Sequence, residues 1–116
     1  MKSEKYIDTI SNEELIKETL YYESGKIRNE CYKLNGKYHR KDGPAITHYN
    51  EDGSIRNEAY YLNNKWHRED GPAFISYYSR DIEQHWYCLN GNFIKDELQL
   101  FVIKTLEIEN NKEKKL

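Results

Sequence analysis

The sequence predicts a mainly β fold, an antiparallel meander of repeated hairpins with a short helix in front and a capping helix behind. Three observations predict it. Residues 27–45 (IRNECYKLNGKYHRKDGPA) return 28 positions later as residues 55–73 (IRNEAYYLNNKWHREDGPA), with 14 of the 19 positions identical. Asn-Gly and Asp-Gly pairs punctuate these blocks, and such pairs tolerate the positive φ that two-residue hairpin turns demand. Between them lie short runs rich in Tyr, Trp and Ile, residues that suit a pleated, half-buried surface.

Taken in order, the segment 1–20 is expected to be a helical cap. Ser11-Asn12-Glu13-Glu14 fits a capping box, and Leu15, Ile16 and Leu20 follow it, so a helix is expected over about 11–20. Residues 21–94 carry the β repeats, with units at about 27–54 and 55–81 and a partial one at 82–94. Within a unit, Glu30 to Leu34 or Glu58 to Leu62 forms a first strand. Asn35-Gly36, Asn63-Asn64 or Asn90-Gly91 turns it. The chain returns through Tyr38 or Trp66, turns again at Asp-Gly-Pro, and leaves along Ala45 to Tyr49 or Ala73 to Tyr78. Asp96-Glu97 then opens a helix over 95–109 in which Leu98, Phe101, Val102 and Leu106 fall at helical spacing, the helix is expected to cover one face or one end of the sheet, and residues 110–116 form a frayed tail.

The chain of 116 residues has room for a single domain. Lys plus Arg total 18 against 20 acidic residues, so no basic field draws it to phosphate backbones, and general nucleic-acid binding is not expected. Met1 is followed by Lys, Ser, Glu and Lys, and no run reaches the roughly 18 apolar residues of a membrane span, so no membrane partner and a cytoplasmic location are expected. Cys31 and Cys88 lack the paired spacing of a zinc or redox site and are expected to be free thiols, about two repeats and ~28 Å apart.

The blocks Tyr32 to Ala45 and Tyr60 to Ala73 resemble the LNGKxHRxDGPA repeats of small phage, giant-virus and bacterial proteins, which are akin to MORN repeats. The resemblance covers residues 21–94 and departs at Asn64, where Gly is usual, and after Phe93, where His-Arg and Asp-Gly-Pro-Ala are missing. It implies a MORN-like binding or scaffolding surface. It also implies an inhibitor of a bacterial defence system, such as a CRISPR effector, as one form of binding, acting in the host cytoplasm.

Two constellations could carry chemistry. His39-Arg40-x-Asp42 and His67-Arg68-x-Asp70 offer an acid, a base and an anion clamp, as a phosphoesterase would need. They recur with the period of the fold, however, and a catalytic group is needed once. The structural alternative has Asp bonding backbone amides across the turn and Arg pairing with Glu30 or Glu58. Metal binding by His39 and His67 fails on distance, since equivalent positions should lie ~14 Å apart. No catalytic set, metal site or cofactor is expected.

The aromatic set is the other constellation. Tyr38, Tyr61, Trp66 and Trp86, rimmed by Arg40 and Arg68, could anchor a protein partner or stack the base of a nucleotide. Tyr61 is matched by Lys33 and Cys88 in the neighbouring units, and this variation marks it for a specific contact. Alternation puts Tyr60 and Leu62 on one face of the strand and Ala59 and Tyr61 on the other. The favoured expectation is a non-enzymatic protein-binding surface. A sponge for a signalling nucleotide is the alternative, with a His67, Arg68 and Asp70 enzyme behind it. Open sheet edges also allow self-association.

Overall fold

The asparagine turns form where the sequence places them. In the computed structural model, Asn35-Gly36, Asn63-Asn64 and Asn90-Gly91 all take positive φ at both positions, between 49° and 81°. That is the type I′ geometry whose twist matches the flanking strands. Asn64 at φ 66° therefore does the work that Gly36 and Gly91 do in the other two turns. It also adds a bond that Gly could not, because its side-chain Oδ1 accepts the Tyr38 N–H at 2.8 Å. The model describes residues 1–79 and 82–114, so the expected join between two units at 80–81 and the last two residues of the expected tail lie outside the described residues.

The strands are β1 (Lys2–Ile7), β2 (Glu14–Tyr21), β3 (Ile27–Leu34), β4 (Lys37–Tyr38), β5 (Ile46–Tyr49) and β6 (Ile55–Ala59). They continue as β7 (Tyr61–Leu62), β8 (Lys65–Trp66), β9 (Phe74–Ser79), β10 (Ile82–Leu89) and β11 (Asn92–Ile94), before helix α1 (Glu97–Lys114). One antiparallel sheet runs β1-β2-β3-β5-β6-β9-β10-β11, with β4 joined to the end of β3 and β7-β8 standing as a separate hairpin. Strand β3 thus serves twice. Asn29 to Cys31 pair with β5, while Lys33 and Leu34 pair with β4.

The short hairpins stack on one another. Asn64 N–H donates to Tyr38 O at 3.0 Å, and Gly91 N–H donates to Trp66 O at 2.8 Å. The molecule measures 58 × 36 × 19 Å. Its thinnest dimension suits two layers at the ~10 Å spacing of stacked β surfaces. The core is correspondingly lean. Ala45, Ala59 and Ala73 are buried with Leu15, Tyr32, Ile75, Cys88 and Leu100.

The front of the chain is not helical. Residues 14–21 form strand β2, paired with β1 on one side and β3 on the other. Ser11 Oγ still accepts the Glu13 N–H at 3.2 Å, but inside a turn that Asp8 closes, its Oδ1 accepting the N–H of Ile10 at 2.9 Å and of Ser11 at 3.0 Å. A helix there would also have left the outer edge of β3 with unpaired backbone groups, which a strand satisfies.

The capping box lies at the other end of the chain. Asp96 Oδ1 accepts the Gln99 N–H at 2.9 Å, and Gln99 Oε1 accepts the Lys95 N–H at 2.7 Å. So anchored, α1 continues past 109 to Lys114 and turns Leu100 into the sheet. The apolar residues at helical spacing face outward, with Leu98 at 72%, Phe101 at 66% and Leu106 at 54% exposure. The cap, set directly behind β11, fixes which side of the helix meets the sheet. No described helix is long and apolar enough to cross a membrane.

Candidate functional site

The two His-Arg-x-Asp-Gly-Pro-Ala loops share one internal design. Arg40 Cζ lies over the Tyr32 ring at 3.9 Å from its centroid and Arg68 Cζ over Tyr60 at 4.0 Å. Each guanidinium then donates to the Asp two residues on, Arg40 Nε to Asp42 Oδ1 and Arg68 Nε to Asp70 Oδ1. Each also donates through Nη1 to the proline carbonyl at 3.1 Å. The glycine makes room for the guanidinium, because a Cβ at Gly43 would sit 2.7 Å from Arg40 Cζ, and one at Gly71 would sit 2.9 Å from Arg68 Cζ.

The arginines therefore do not pair with Glu30 and Glu58 as expected. Those carboxylates accept the phenols of Tyr49 and Tyr77, and Glu30 also pairs with Lys17. A side chain two residues away is within easier reach of Arg than one on the next strand. Burial, and then the Glu30 carboxylate, push the Tyr49 phenol well above its ordinary value.

Each histidine clips the next hairpin. Asn63 N–H donates to His39 Nδ1 at 3.2 Å, and Asn90 N–H donates to His67 Nδ1 at 3.0 Å. With Nδ1 accepting, Nε2 carries the proton, and His39 Nε2 donates to Glu13 at 2.9 Å. The third hairpin has helix α1 behind it rather than a further hairpin to clip, which accounts physically for its missing His-Arg. His67, Arg68 and Asp70 line one groove, but their bonds run elsewhere. The ring engages Asn90 and Glu69, while the Arg and Asp engage each other.

Among the described residues only the first loop is covered, by the turn between β1 and β2. Asp42 Oδ2 accepts the Tyr6 hydroxyl, the Thr9 N–H at 2.9 Å and the Thr9 hydroxyl at 3.0 Å. Asp8 Oδ2 accepts the Lys41 and Asp42 amides, and Arg40 Nη2 donates to Tyr6 at 3.3 Å. Burial pushes the Asp42 carboxyl up, but the bonds from Thr9, Tyr6 and Arg40 outweigh it and hold the group at about 2. The hydrogen bond to Asp42, and then burial, raise the Tyr6 phenol. Between the two loops lies an open groove of about 600 Å³, lined by Ile10, Arg40, Asp42, Arg68, Asp70 and Lys104 among others.

The aromatic residues form a second feature. Tyr38 meets Tyr61 at 5.5 Å between centroids, Tyr61 meets Trp66 at 6.3 Å, and Trp66 meets Phe74 at 5.4 Å and Phe93 at 5.9 Å. Phe74 meets Trp86 at 5.4 Å. These six rings make one ladder across β4, β7, β8, β9, β10 and β11, and its last rungs, Trp86 and Phe93, are 40% and 66% exposed. Four residues expected at the site, Tyr38, Tyr61, Trp66 and Trp86, are thus brought together. Arg40 and Arg68 are not at the ladder's rim, because they lie on Tyr32 and Tyr60 in the loops.

Phe93 was legible in principle, since it occupies in the partial unit the place of Tyr38 and Trp66. Tyr6, Asp8, Thr9 and Glu13 carry no such signal, as they lie outside the repeated blocks. Cys31 and Cys88 are free, and burial raises both thiols above the ordinary value. No family model matches the chain, no curated protein matches it, and no solved structure matches it.

Proposed function

We propose that this chain is a non-enzymatic binding protein that engages a protein partner through the exposed end of its aromatic ladder. The observation that carries this is the row of six touching rings ending in half-exposed Trp86 and mostly exposed Phe93. Rigid aromatic side chains give large contact area at small entropic cost and dominate protein interfaces. Phe93 lies directly before α1, whose outward Leu98, Phe101 and Leu106 extend the apolar surface. Exposed apolar area of that kind marks interaction sites.

The resemblance to phage repeat proteins makes a bacterial host protein the partner class to try first, with inhibition of a defence protein such as a CRISPR effector as its form. The nucleotide-sponge reading has less support. Arg40 spends its guanidinium on Asp42, Pro44 and Tyr6, and neither arginine stands beside the ladder's rings. The sheet edges also favour self-association less than the ladder favours a partner. One edge strand carries Lys2, Glu4 and Lys5, and the other spans three residues.

The test is capture from bacterial lysate by the tagged chain and by a Trp86→Ser, Phe93→Ser double variant with an unchanged circular dichroism spectrum. One protein retained stoichiometrically by the wild type, and reduced about tenfold or more by the variant, is expected if hot-spot residues have been removed. Equal retention by both proteins would remove the ladder from the interface. A released nucleotide without a protein would turn the reading to the sponge.

A further inference from the structure

We infer that the second His-Arg-x-Asp loop, residues 67–73, is a docking site for a partner's peptide segment of the form Tyr-x-Asp-Thr, the chemistry that residues 6–9 supply to the first loop. This deepens the protein-binding reading and rests on it only in taking a polypeptide as the occupant.

The argument begins from equivalence. Six of the seven residues in 39–45 recur in 67–73. Both loops show the Arg-on-Tyr stack, the Arg-Asp bond, the bond to the proline carbonyl and the histidine clip. Two loops so alike present the same polar atoms outward. In the first, all of those atoms are engaged from within the chain. Tyr6 bridges Arg40 Nη2 and Asp42, Thr9 donates twice to Asp42, and Asp8 accepts the two amides at 41 and 42.

In the second loop these positions are open. Asp70 is bonded by Arg68 and its side chain is 80% exposed, against 5% for Asp42. Among the described residues, none bonds Arg68 Nη2 or the amides of Glu69 and Asp70. The space is present as well, because the groove of about 600 Å³ lies against this loop. Pockets of roughly 300 to 1,000 Å³ hold ligands of the size of a short peptide turn.

The one difference in sequence also fits. The first loop carries Lys41, and its histidine takes a carboxylate from Glu13, brought by the covering turn. The second carries Glu69 at that position, and His67 Nε2 already faces Glu69 Oε1 at 3.5 Å. A ligand for this loop needs no counterpart of Glu13. Among the groove's charges Arg40 pairs with Asp42 and Arg68 with Asp70, which leaves Lys41 and Lys104 against Glu69, a small positive balance that favours an acidic segment.

The probe is a fluorescein-labelled synthetic peptide of residues 4–13, which contains Tyr6-Ile7-Asp8-Thr9 together with the residues of its own turn, titrated with the full chain and followed by anisotropy. The first loop stays occupied by its tethered copy, which acts at high effective concentration. Saturable binding is expected, weakened roughly 10-fold or more by Asp70→Asn in the protein and by Asp→Asn at the third central position of the peptide, as befits charge-assisted bonds. Asp70 is exposed, so its replacement leaves the fold intact. No binding up to about 1 mM peptide, or equal affinity for wild type and Asp70→Asn, overturns the proposal. The Trp86→Ser, Phe93→Ser variant should bind the peptide normally, so failure at the loop and failure at the ladder are read separately.

Discussion

The loop at 39–45 and the loop at 67–73 differ by Lys41 against Glu69 and agree at the other six positions, yet their aspartates live in different surroundings. Asp42 takes bonds from Arg40, Tyr6 and Thr9, whereas Asp70 takes one from Arg68. The internal shape of each loop follows from its own residues: Gly clears the way for the guanidinium, Arg stacks on Tyr, and His accepts from the next turn. The burial and the electrostatics do not. They are set by a turn more than thirty residues upstream, which reaches one loop and not the other.

The largest expected effect separates the two aspartates. Asp42→Asn leaves a largely buried guanidinium without its counter-charge and sets an amide where three donors converge, a change expected to cost ~3 kcal/mol or more. Asp70→Asn should stay within about 0.5 kcal/mol, as exposed substitutions do. Urea denaturation of the two variants measures the contrast, and similar midpoints would mean that the covering turn contributes little.

Acid should expose the same asymmetry. The folded-state value of Asp42 is lowered from 3.8 to about 2, so its contribution is complete above pH 4 and is lost as pH falls toward 2. The shift corresponds to about 2 kcal/mol. The stability gap between wild type and Asp42→Asn should therefore narrow by that amount between pH 5 and pH 2, at about constant ionic strength. A gap that holds constant through this window would place the Asp42 carboxyl in a different environment.

The glycines give a smaller contrast. A methyl at Gly43 must displace Arg40, which Asp42, Pro44, Tyr6 and the Tyr32 ring hold from several sides, so Gly43→Ala is expected to cost ~2 kcal/mol. Arg68 has the open groove beside it and can retreat, so Gly71→Ala should cost less than about 1 kcal/mol. Thermal melts of both variants check the order.

What the sequence made legible follows the range of the interactions involved. Asn-Gly turns and alternating strands are decided by neighbours in the chain, and so the hairpins and the two-faced placement of Tyr60 and Tyr61 could be anticipated. The ladder could be anticipated in part, because Tyr38, Tyr61, Trp66 and Trp86 come together through strand pairing. The front of the chain could not. Its capping signature at Ser11 is real as a pattern, and Ser11 does bond the Glu13 amide, but Asp8 folds the segment into a turn and β3 needs a partner along its edge. The outward stripe of α1 was equally hidden, since the exit from β11 and the cap at Asp96 decide its phase. The asymmetry between the two loops is the extreme case, for nothing in residues 39–45 or 67–73 records which of them will be covered.

The smallest expected effect isolates the cover itself. Tyr6→Phe keeps the ring, which packs edge-on against Tyr32 at 4.9 Å and lies 5.1 Å from Arg40, and removes the hydroxyl that joins Arg40 to Asp42. Thr9 and Asp8 still hold the loop, so the loss should be close to one net hydrogen bond, about 1 kcal/mol. In the double variant with Asp42→Asn that loss should shrink, because the acceptor it serves has already been altered, and the non-additivity measures the coupling between them. Paired with Asp70→Asn instead, the two losses should add, since Tyr6 belongs to the first loop and has no counterpart at the second. Additivity in both pairs would show that the Tyr6 hydroxyl contributes nothing through Asp42.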